Sequence, residues 1–364
     1  MSEQLDNVFK SSRIVLRNKL IITSPGTYSR NNLGMYIQEK DLVFNEVLPN
    51  PSLDQLIDFL TRISIDSKTI IVAIGGGSVI DFAKLVSLFY KTHINDIKEI
   101  IEKSRFSDIG TALPILAVPT LYGSGAEKTP FAVCYIDDKK YSVSNPLILP
   151  QYVEYITELN LSAPRNIKLA NVLDCFCQAF ESLTSKNATR ESIDYATEVL
   201  NILVPISYEY IHSKNIEATS QVAFCSDLCG RSIAISKTTG PHALSYYLTS
   251  KLKWDHGIAV SLCMLYFLDL YQTLHMTETK KPLLILKHIL NKNSHNSLSD
   301  YFIFLGLDIT KYSKNILRFI DIEDWYSSIN IERLNNGPEI SDYHFNSVSI
   351  KNYYTKISNY IIPS

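Results

Sequence analysis

Three stretches of the chain carry side chains whose types and spacing could do chemistry. Asp174, Gln178 and Glu181 recur at i, i+4 and i+7 and form a polar stripe on one face of an otherwise apolar helical pattern. A carboxylate on a largely buried helix needs a partner, because an unpaired buried charge is costly. His242 follows Gly240-Pro241, and His256 sits in Trp254-Asp255-His256-Gly257. These histidines are 14 positions apart, about 21 Å as unbroken helix. They can share an ion only if the chain reverses, and the polar run 249–255 can supply that turn. One carboxylate oxygen with two imidazoles makes a three-ligand site with an open position, the pattern of a catalytic metal ion. The competing reading is two capping or surface histidines beside an internally hydrogen-bonded Asp174, and spacing alone favours it.

The third stretch is Gly75-Gly76-Gly77-Ser78, between the β-branched run 69–74 and a helical pattern over 79–90. Glycines let the backbone come close to a pyrophosphate, and a helix N-terminus presents free N–H groups at the positive end of its dipole. The usual GxGxxG fingerprint would need glycine at 80, where Ile80 stands, so the ordinary dinucleotide signature is absent. Asp81 and Lys84 fall in the first turns of the helix. A glycine turn without a ligand remains the alternative, and the glycines only tip the balance towards binding.

These groups need scaffolding, and the two halves of the chain offer different kinds. Before residue 164, short apolar runs (20–23, 41–44, 69–74, 113–118) alternate with helical stretches, which implies a doubly wound parallel sheet. Ser24-Pro25-Gly26 reads as a turn after the first strand, and Ser52 as the cap of a helix running to Leu60. After Pro164, apolar residues recur at helical spacing over 166–184, 189–212, 217–235, 241–250 and 257–276, with no comparable strand. The expected organisation is an α/β nucleotide-binding domain, 1–163, and an all-helical metal and substrate domain, 164–364.

Composition narrows the partners. With 364 residues, 46% hydrophobic and 20% charged, the chain can build large cores and is not mostly disordered. A net charge of −2 leaves no basic surplus for a nucleic-acid backbone, so a small molecule is the expected partner. The first 30 residues hold no apolar core of signal-peptide length. The longest apolar stretch, 258–268, is too short to span a bilayer, so a cytoplasmic protein without membrane association is expected. The six cysteines then read as reduced thiols. Cys175/Cys177 and Cys225/Cys229 imitate zinc spacings only superficially, because they lie in helical patterns.

Taken in order, these residues resemble the iron-containing (group III) alcohol dehydrogenase family, whose fold also covers glycerol dehydrogenase and dehydroquinate synthase. The matching stretches are VLPNPSLDQL at 47–56, AIGGGSVIDFAK at 73–84, LPILAVPTLYGSGAEKTPFAV at 113–133, DCFCQAFES at 174–182, GPHALSYYLTSKLKWDHG at 240–257 and IERLNNGP at 331–338. They run over nearly the whole chain. The resemblance implies a Rossmann-like sheet domain followed by a helical domain, and a homodimer. It implies that Gly75, Gly76, Gly77 and Ser78 cradle a pyrophosphate, that Asp81 belongs to the same cofactor-binding set, and that Thr120, Gly123, Ser124 and Thr129 lie against ribose or nicotinamide. Asp174, His242 and His256 would hold the metal.

Two positions depart from the family pattern. Gln178 stands where a second metal histidine is expected, and Tyr246 where a further active-site histidine is expected. The wider fold includes zinc members with only Asp, His and His, so Zn²⁺ or Fe²⁺ are both carried forward, with Gln178 as a doubtful fourth ligand. Ser24 occupies the position at which strict NAD enzymes carry aspartate, so NADPH and NADH are both expected. ITSPGTYSR at 22–30, KYSV at 140–143, Gln178 and TTGPHALSY at 238–246 are similar to phosphonoacetaldehyde reductases. That narrower likeness implies reduction of a small anionic aldehyde, with Lys128, Lys140 and Lys237 as candidate anion partners. A sugar-acid alcohol oxidase, a non-redox sugar-phosphate cyclase and a non-catalytic family member are the alternatives.

Overall fold

In the computed structural model, which describes residues 3–11, 18–137 and 139–359, the chain divides between Ala163 and Pro164 into two units. The β-branched run 69–74 becomes the central strand of the first. In chain order the strands are β1 (Asn18–Thr23), β2 (Leu42–Phe44), β3 (Thr69–Gly75), β4 (Ile115–Pro119), the pair β5 (Phe131–Ile136) and β6 (Lys139–Ser144), and β7 (Tyr152–Val153). Five form a parallel sheet in the order β2-β1-β3-β4-β7, while β5 and β6 make a separate antiparallel hairpin. Every residue of β3 is buried. Its alternate side chains enter two cores: Ile71 and Ala73 on one face, Ile70, Val72 and Ile74 on the other. A strand covered on both faces has no polar side to alternate with, hence its continuous apolar run.

Helices of this unit are α1 (Glu3–Lys10), α2 (Pro25–Arg30), α3 (Leu53–Arg62), α4 (Gly77–Phe89), α5 (Ile94–Glu102) and α6 (Thr157–Leu161). Ser52 caps α3 by accepting from the Gln55 backbone N–H. The expected turn at Ser24-Pro25-Gly26 is instead the start of α2. Ser24 is its N-cap, accepting from Thr27 N–H at 3.3 Å, and Pro25 is the first helical residue. Ser-Pro is as good a helix start as a turn, since proline's missing N–H would be unsatisfied there anyway.

The second unit contains helices and, among its described residues, no strand. They are α7 (Arg165–Thr184), α8 (Arg190–His212), α9 (Ile216–Ser236), α10 (Gly240–Leu252), α11 (His256–Thr273), α12 (Thr277–Lys292), α13 (Leu298–Leu305), α14 (Ile309–Phe319), α15 (Ile322–Ser327), α16 (Ile331–Leu334) and α17 (Ser347–Ser358). The chain reverses between α10 and α11 at Lys253, which takes a left-handed φ of 54°. α7 and α11 are the buried pieces. All but a few of their residues are inaccessible, and Trp325 and Tyr354 tie neighbouring helices by donating to the carbonyls of Leu244 and Leu262. All six cysteines are free and buried. Among the described residues no single helix is long and apolar enough to cross a membrane.

Candidate functional site

In the helical unit, the reversal after α10 brings His242 and His256 together, their ring centroids 5.2 Å apart. Gly257 makes this possible on the other side. A Cβ there would lie 1.8 Å from the carbonyl oxygen of Ala170 and 3.1 Å from the Asp174 nitrogen, so only glycine lets the start of α11 rest on the backbone of α7. One ligand atom from each of Asp174, His242 and His256 lies within 4.8 Å of the others.

The hydrogen bonds decide what this cluster can hold. Glu181 is 1% exposed and takes four donors. Its Oε1 accepts from Thr239 N–H at 2.9 Å, the Thr239 hydroxyl at 3.0 Å and His242 N–H at 3.2 Å, and its Oε2 binds His242 Nδ1. A carboxylate is acceptor-only, so Nδ1 carries a proton, and in the neutral ring Nε2 keeps its lone pair. That Nε2 faces Asp174 Oδ1 across 3.3 Å, and Oδ1 is buried without a hydrogen bond. With the ring neutral, two acceptors face each other in a buried site, an arrangement that calls for a proton or a metal ion between them. Burial disfavours a charged His242, yet the Glu181 and Asp174 carboxylates outweigh it and raise its pKa. An Asp, His, His set of this kind suits a divalent transition metal.

Gln178 does not offer its oxygen. Its amide nitrogen donates to Asp174 Oδ2 at 3.1 Å, and its Oε1 lies 3.2 Å from the Cys229 thiol. Because ionised Asp174 can only accept, the amide orientation is fixed. The doubtful fourth ligand is thus a hydrogen-bond partner of Asp174. Tyr246 is beside the cluster, its ring stacked on His256 at 6.1 Å, and burial pushes its phenol pKa up. Lys237 has a pKa lowered by burial and by neighbouring Arg333. Arg333, which the sequence reading passed over, lies 5.6 Å from the Tyr246 ring centroid and binds the Thr238 hydroxyl.

In the sheet unit the glycine turn lies at the carboxyl ends of adjacent strands, with Thr23 of β1 paired to Ile74 of β3. The strand order reverses between β1 and β3, and in open α/β sheets ligands bind outside the carboxyl ends at such a switch point. Gly75, Gly76 and Gly77 all have ordinary φ; none is among the positive-φ glycines. What they provide is room, since a Cβ at 76 would meet Leu121 at 2.7 Å and one at 77 Ser124 at 3.0 Å. Thr120 N–H donates to Gly75 C=O at 3.0 Å, so the 120–124 loop packs on the turn, and Gly123 needs its positive φ of 149°. The Ser78 hydroxyl accepts from Asn50 N–H at 3.2 Å.

Two of the expected cofactor residues face inward instead. Asp81 accepts from Val133 N–H at 3.1 Å on the β5 hairpin, and burial raises its pKa. Thr129 is 4% exposed and bonds Lys84 Nζ at 3.2 Å. Lys84 is itself buried, donating to the carbonyls of Ala126 and Phe131, each at 2.6 Å. Burial lowers its pKa to about 8, which leaves it protonated at neutral pH. It ties the loop that borders the glycine turn to α4. Of the other expected lysines, Lys140 lies on β6 near Asp81 and Lys128 in the single turn Ala126–Lys128.

Residues 3–155 match the iron-containing alcohol dehydrogenase family model. Over those residues, less than half of its length, the chain is similar to this family. It is 30% identical over 201 residues to a phosphonoacetaldehyde reductase of Streptomyces viridochromogenes, a match covering 53% of this chain and 51% of that protein. It is 24% identical over 257 residues to a long-chain primary alcohol dehydrogenase of Thermoanaerobacter ethanolicus, covering 67% of this chain and 64% of that one. The matches thus span about half to two thirds of these relatives. Among solved structures, an iron-containing alcohol dehydrogenase of Thermotoga maritima superposes with a TM-score of 0.77 at 24% identity, covering 94% of this chain and 92% of that one. A sulfoacetaldehyde reductase of Bifidobacterium kashiwanohense in complex with NAD+ gives a TM-score of 0.81 at 19% identity, covering 99% and 96%. At these identities the structural likeness shows the fold, an α/β sheet unit followed by a helical one.

Proposed function

We propose that the protein is a metal-dependent, NAD(P)H-linked reductase of small anionic aldehydes, with phosphonoacetaldehyde the first candidate. The observation that carries this reading is the Nε2 of His242 facing the orphaned Oδ1 of Asp174 across 3.3 Å, with His256 alongside. When bound, a metal ion there supplies Lewis acidity towards a carbonyl oxygen, and reduced nicotinamide supplies the hydride. Asp174, His242 and His256 are the residues that would hold the ion. The Gly76–Gly77 turn and the first N–H groups of α4 would receive the pyrophosphate.

The remaining work falls to side chains around the cluster. The alcohol oxygen needs a proton, and Tyr246, whose phenol stays protonated well above neutral pH, carries one beside His256. Lys237 and Arg333 place two cations on the Tyr246 side, where the planar fork of Arg333 suits a phosphonate or sulfonate. The phosphonoacetaldehyde and sulfoacetaldehyde reductases among the similar proteins act on aldehydes of that charge type, which supports the substrate class. Zinc is preferred to iron, because three ligands completed by water suit Zn²⁺, whereas Fe²⁺ usually takes more.

The test compares phosphonoacetaldehyde with propanal, using NADH and NADPH, with added Zn²⁺ or Fe²⁺. Arg333→Ala and Lys237→Ala should each reduce kcat/KM for the anionic aldehyde by about 10- to 150-fold, the worth of a hydrogen bond to a charged group, and leave propanal little changed. Equal kcat/KM for both aldehydes in the wild type ends the anionic assignment. No oxidation of NAD(P)H with any aldehyde and either metal ends the reductase reading.

A further inference from the structure

Asp174, Gln178 and Glu181 share one face of α7, yet only the first aims an atom into the cluster. Glu181 reaches across to α10, whose N-cap residue, Thr239, makes no side-chain capping bond. Glu181 Oε1 takes over, accepting from the backbone N–H groups of Thr239 and His242. One carboxylate thus satisfies the helix N-terminus that carries His242 and, through its other oxygen, holds the imidazole proton on Nδ1. Gln178 plays the corresponding part for the other ligand. Its amide occupies Asp174 Oδ2 while Cys229 occupies the amide oxygen, so Asp174 keeps a single oxygen, Oδ1, open.

We propose that Glu181 and Gln178 are positioning residues for the metal, Glu181 selecting the His242 tautomer and Gln178 selecting the Asp174 oxygen, and that Gln178 itself does not ligate. The inference rests on the metal-dependent reading above. It makes the glutamine at 178 an adaptation to three-ligand binding: the residue where the family pattern has a ligand orients the neighbouring ligand instead.

Glu181→Gln is the discriminating change because its volume is nearly unchanged. If the amide NH₂ faces His242 Nδ1, the imidazole proton must move to Nε2, the atom aimed at the cluster. If the amide oxygen faces Nδ1, the NH₂ meets the N–H groups of Thr239 and His242. Either arrangement conflicts with a ligating Nε2 and a satisfied cap. Gln178→Leu removes the donor to Asp174 Oδ2 without replacing it.

The experiment strips the full-length protein with chelator and titrates it with Co²⁺, following the visible absorption of the bound ion, while thermal unfolding of the metal-free variants reports on the fold. Loss of outer partners of metal ligands typically weakens binding by about 10- to 100-fold. Glu181→Gln should lose that much, and Gln178→Leu several-fold, with an altered Co²⁺ spectrum in both. In zinc-loaded wild type labelled with ¹⁵N-histidine, the proton of His242 should be on Nδ1, a readout that does not require either variant to fold. Wild-type Co²⁺ binding with unchanged affinity and spectrum in both variants overturns the inference and leaves the reductase reading standing, as does a proton on Nε2. A wild type that binds neither Co²⁺ nor Zn²⁺ overturns both.

Discussion

Replacing Gly257 by alanine measures how closely α11 must approach α7 for the cluster to exist. A Cβ at this position would sit 1.8 Å from Ala170 O and 2.7 Å from Ala170 C. Both are backbone atoms inside a buried helix, so no rotamer change relieves the clash. Ordinary carbon–oxygen contact begins at about 3.3 Å, so the start of α11 must move away by roughly 1.5 Å. His256, the preceding residue, moves with it. The three ligand atoms now lie within 4.8 Å of one another, and a displacement of that size takes His256 out of coordination range. Alanine's better helix propensity would favour the variant by about 1 kcal/mol, but overpacking costs typically 1–3 kcal/mol and a backbone clash belongs at the upper end. A net loss of about 2 kcal/mol lowers Tm by roughly 4–8 °C for a unit of this size. Misplacing a group by about 1 Å can cost on the order of 100-fold in rate. Differential scanning calorimetry and zinc titration of Gly257→Ala, with Gly110→Ala as the control that meets nothing within 4 Å, give the answer. Unchanged Tm and unchanged zinc affinity in Gly257→Ala would refute the reasoning, because they would mean that the two helices are not in backbone contact.

Three further changes probe other parts of the molecule. Ser24→Asp keeps an N-cap on α2 but adds the charge that repels a 2′-phosphate, so a wild type that takes NADPH at least as well as NADH should shift by about tenfold or more towards NADH in kcat/KM; an unchanged ratio excludes residue 24 from cofactor choice. Lys84→Met leaves the Ala126 and Phe131 carbonyls without their donor, and should destabilise the sheet unit by about 3 kcal/mol, read in urea unfolding, where an unaltered midpoint would show the lysine to be dispensable. Tyr246→Phe retains the ring on His256 and removes only the hydroxyl, so kcat should fall on the order of 100-fold at constant Tm; wild-type kcat would mean that the proton comes from elsewhere.

Much of this was readable from side-chain pattern, and the exceptions have identifiable causes. The apolar run 69–74 and the periodic helices of the second half carry their burial in their residue types, so strands and helices fell where expected. The polar stripe on α7 announced that Asp174 and Glu181 would need partners. Which partner each would find depends on α10 arriving from about 60 residues away, and no local spacing encodes that. Ser24-Pro25 was ambiguous because one dipeptide starts both turns and helices. Asp81 and Thr129 were expected on the cofactor side of the glycine turn, and only the packing around the β5 hairpin shows Asp81 bonded to Val133 N–H and Thr129 to Lys84. Arg333 sits in a four-residue helix late in the chain with no spacing relation to either histidine. Gly257 gave no signal as a close approach, because the atom it accommodates belongs to residue 170.

The order of the three candidate ligands along the chain has a thermodynamic consequence. His242 and His256 sit on a local helical hairpin, whereas Asp174 precedes His242 by 68 residues, so an ion bound to all three closes a long loop, as a covalent cross-link would. The unfolded chain has no such site, and binding therefore adds directly to stability, by about 2.7 kcal/mol at a free concentration 100 times the Kd. For the unit that carries the cluster, that corresponds to a rise in melting temperature of roughly 5–10 °C. A thermal-shift series over Zn²⁺, Fe²⁺, Co²⁺, Mn²⁺ and Ni²⁺ at equal free concentration would then rank the ions by affinity with no substrate, cofactor or turnover involved.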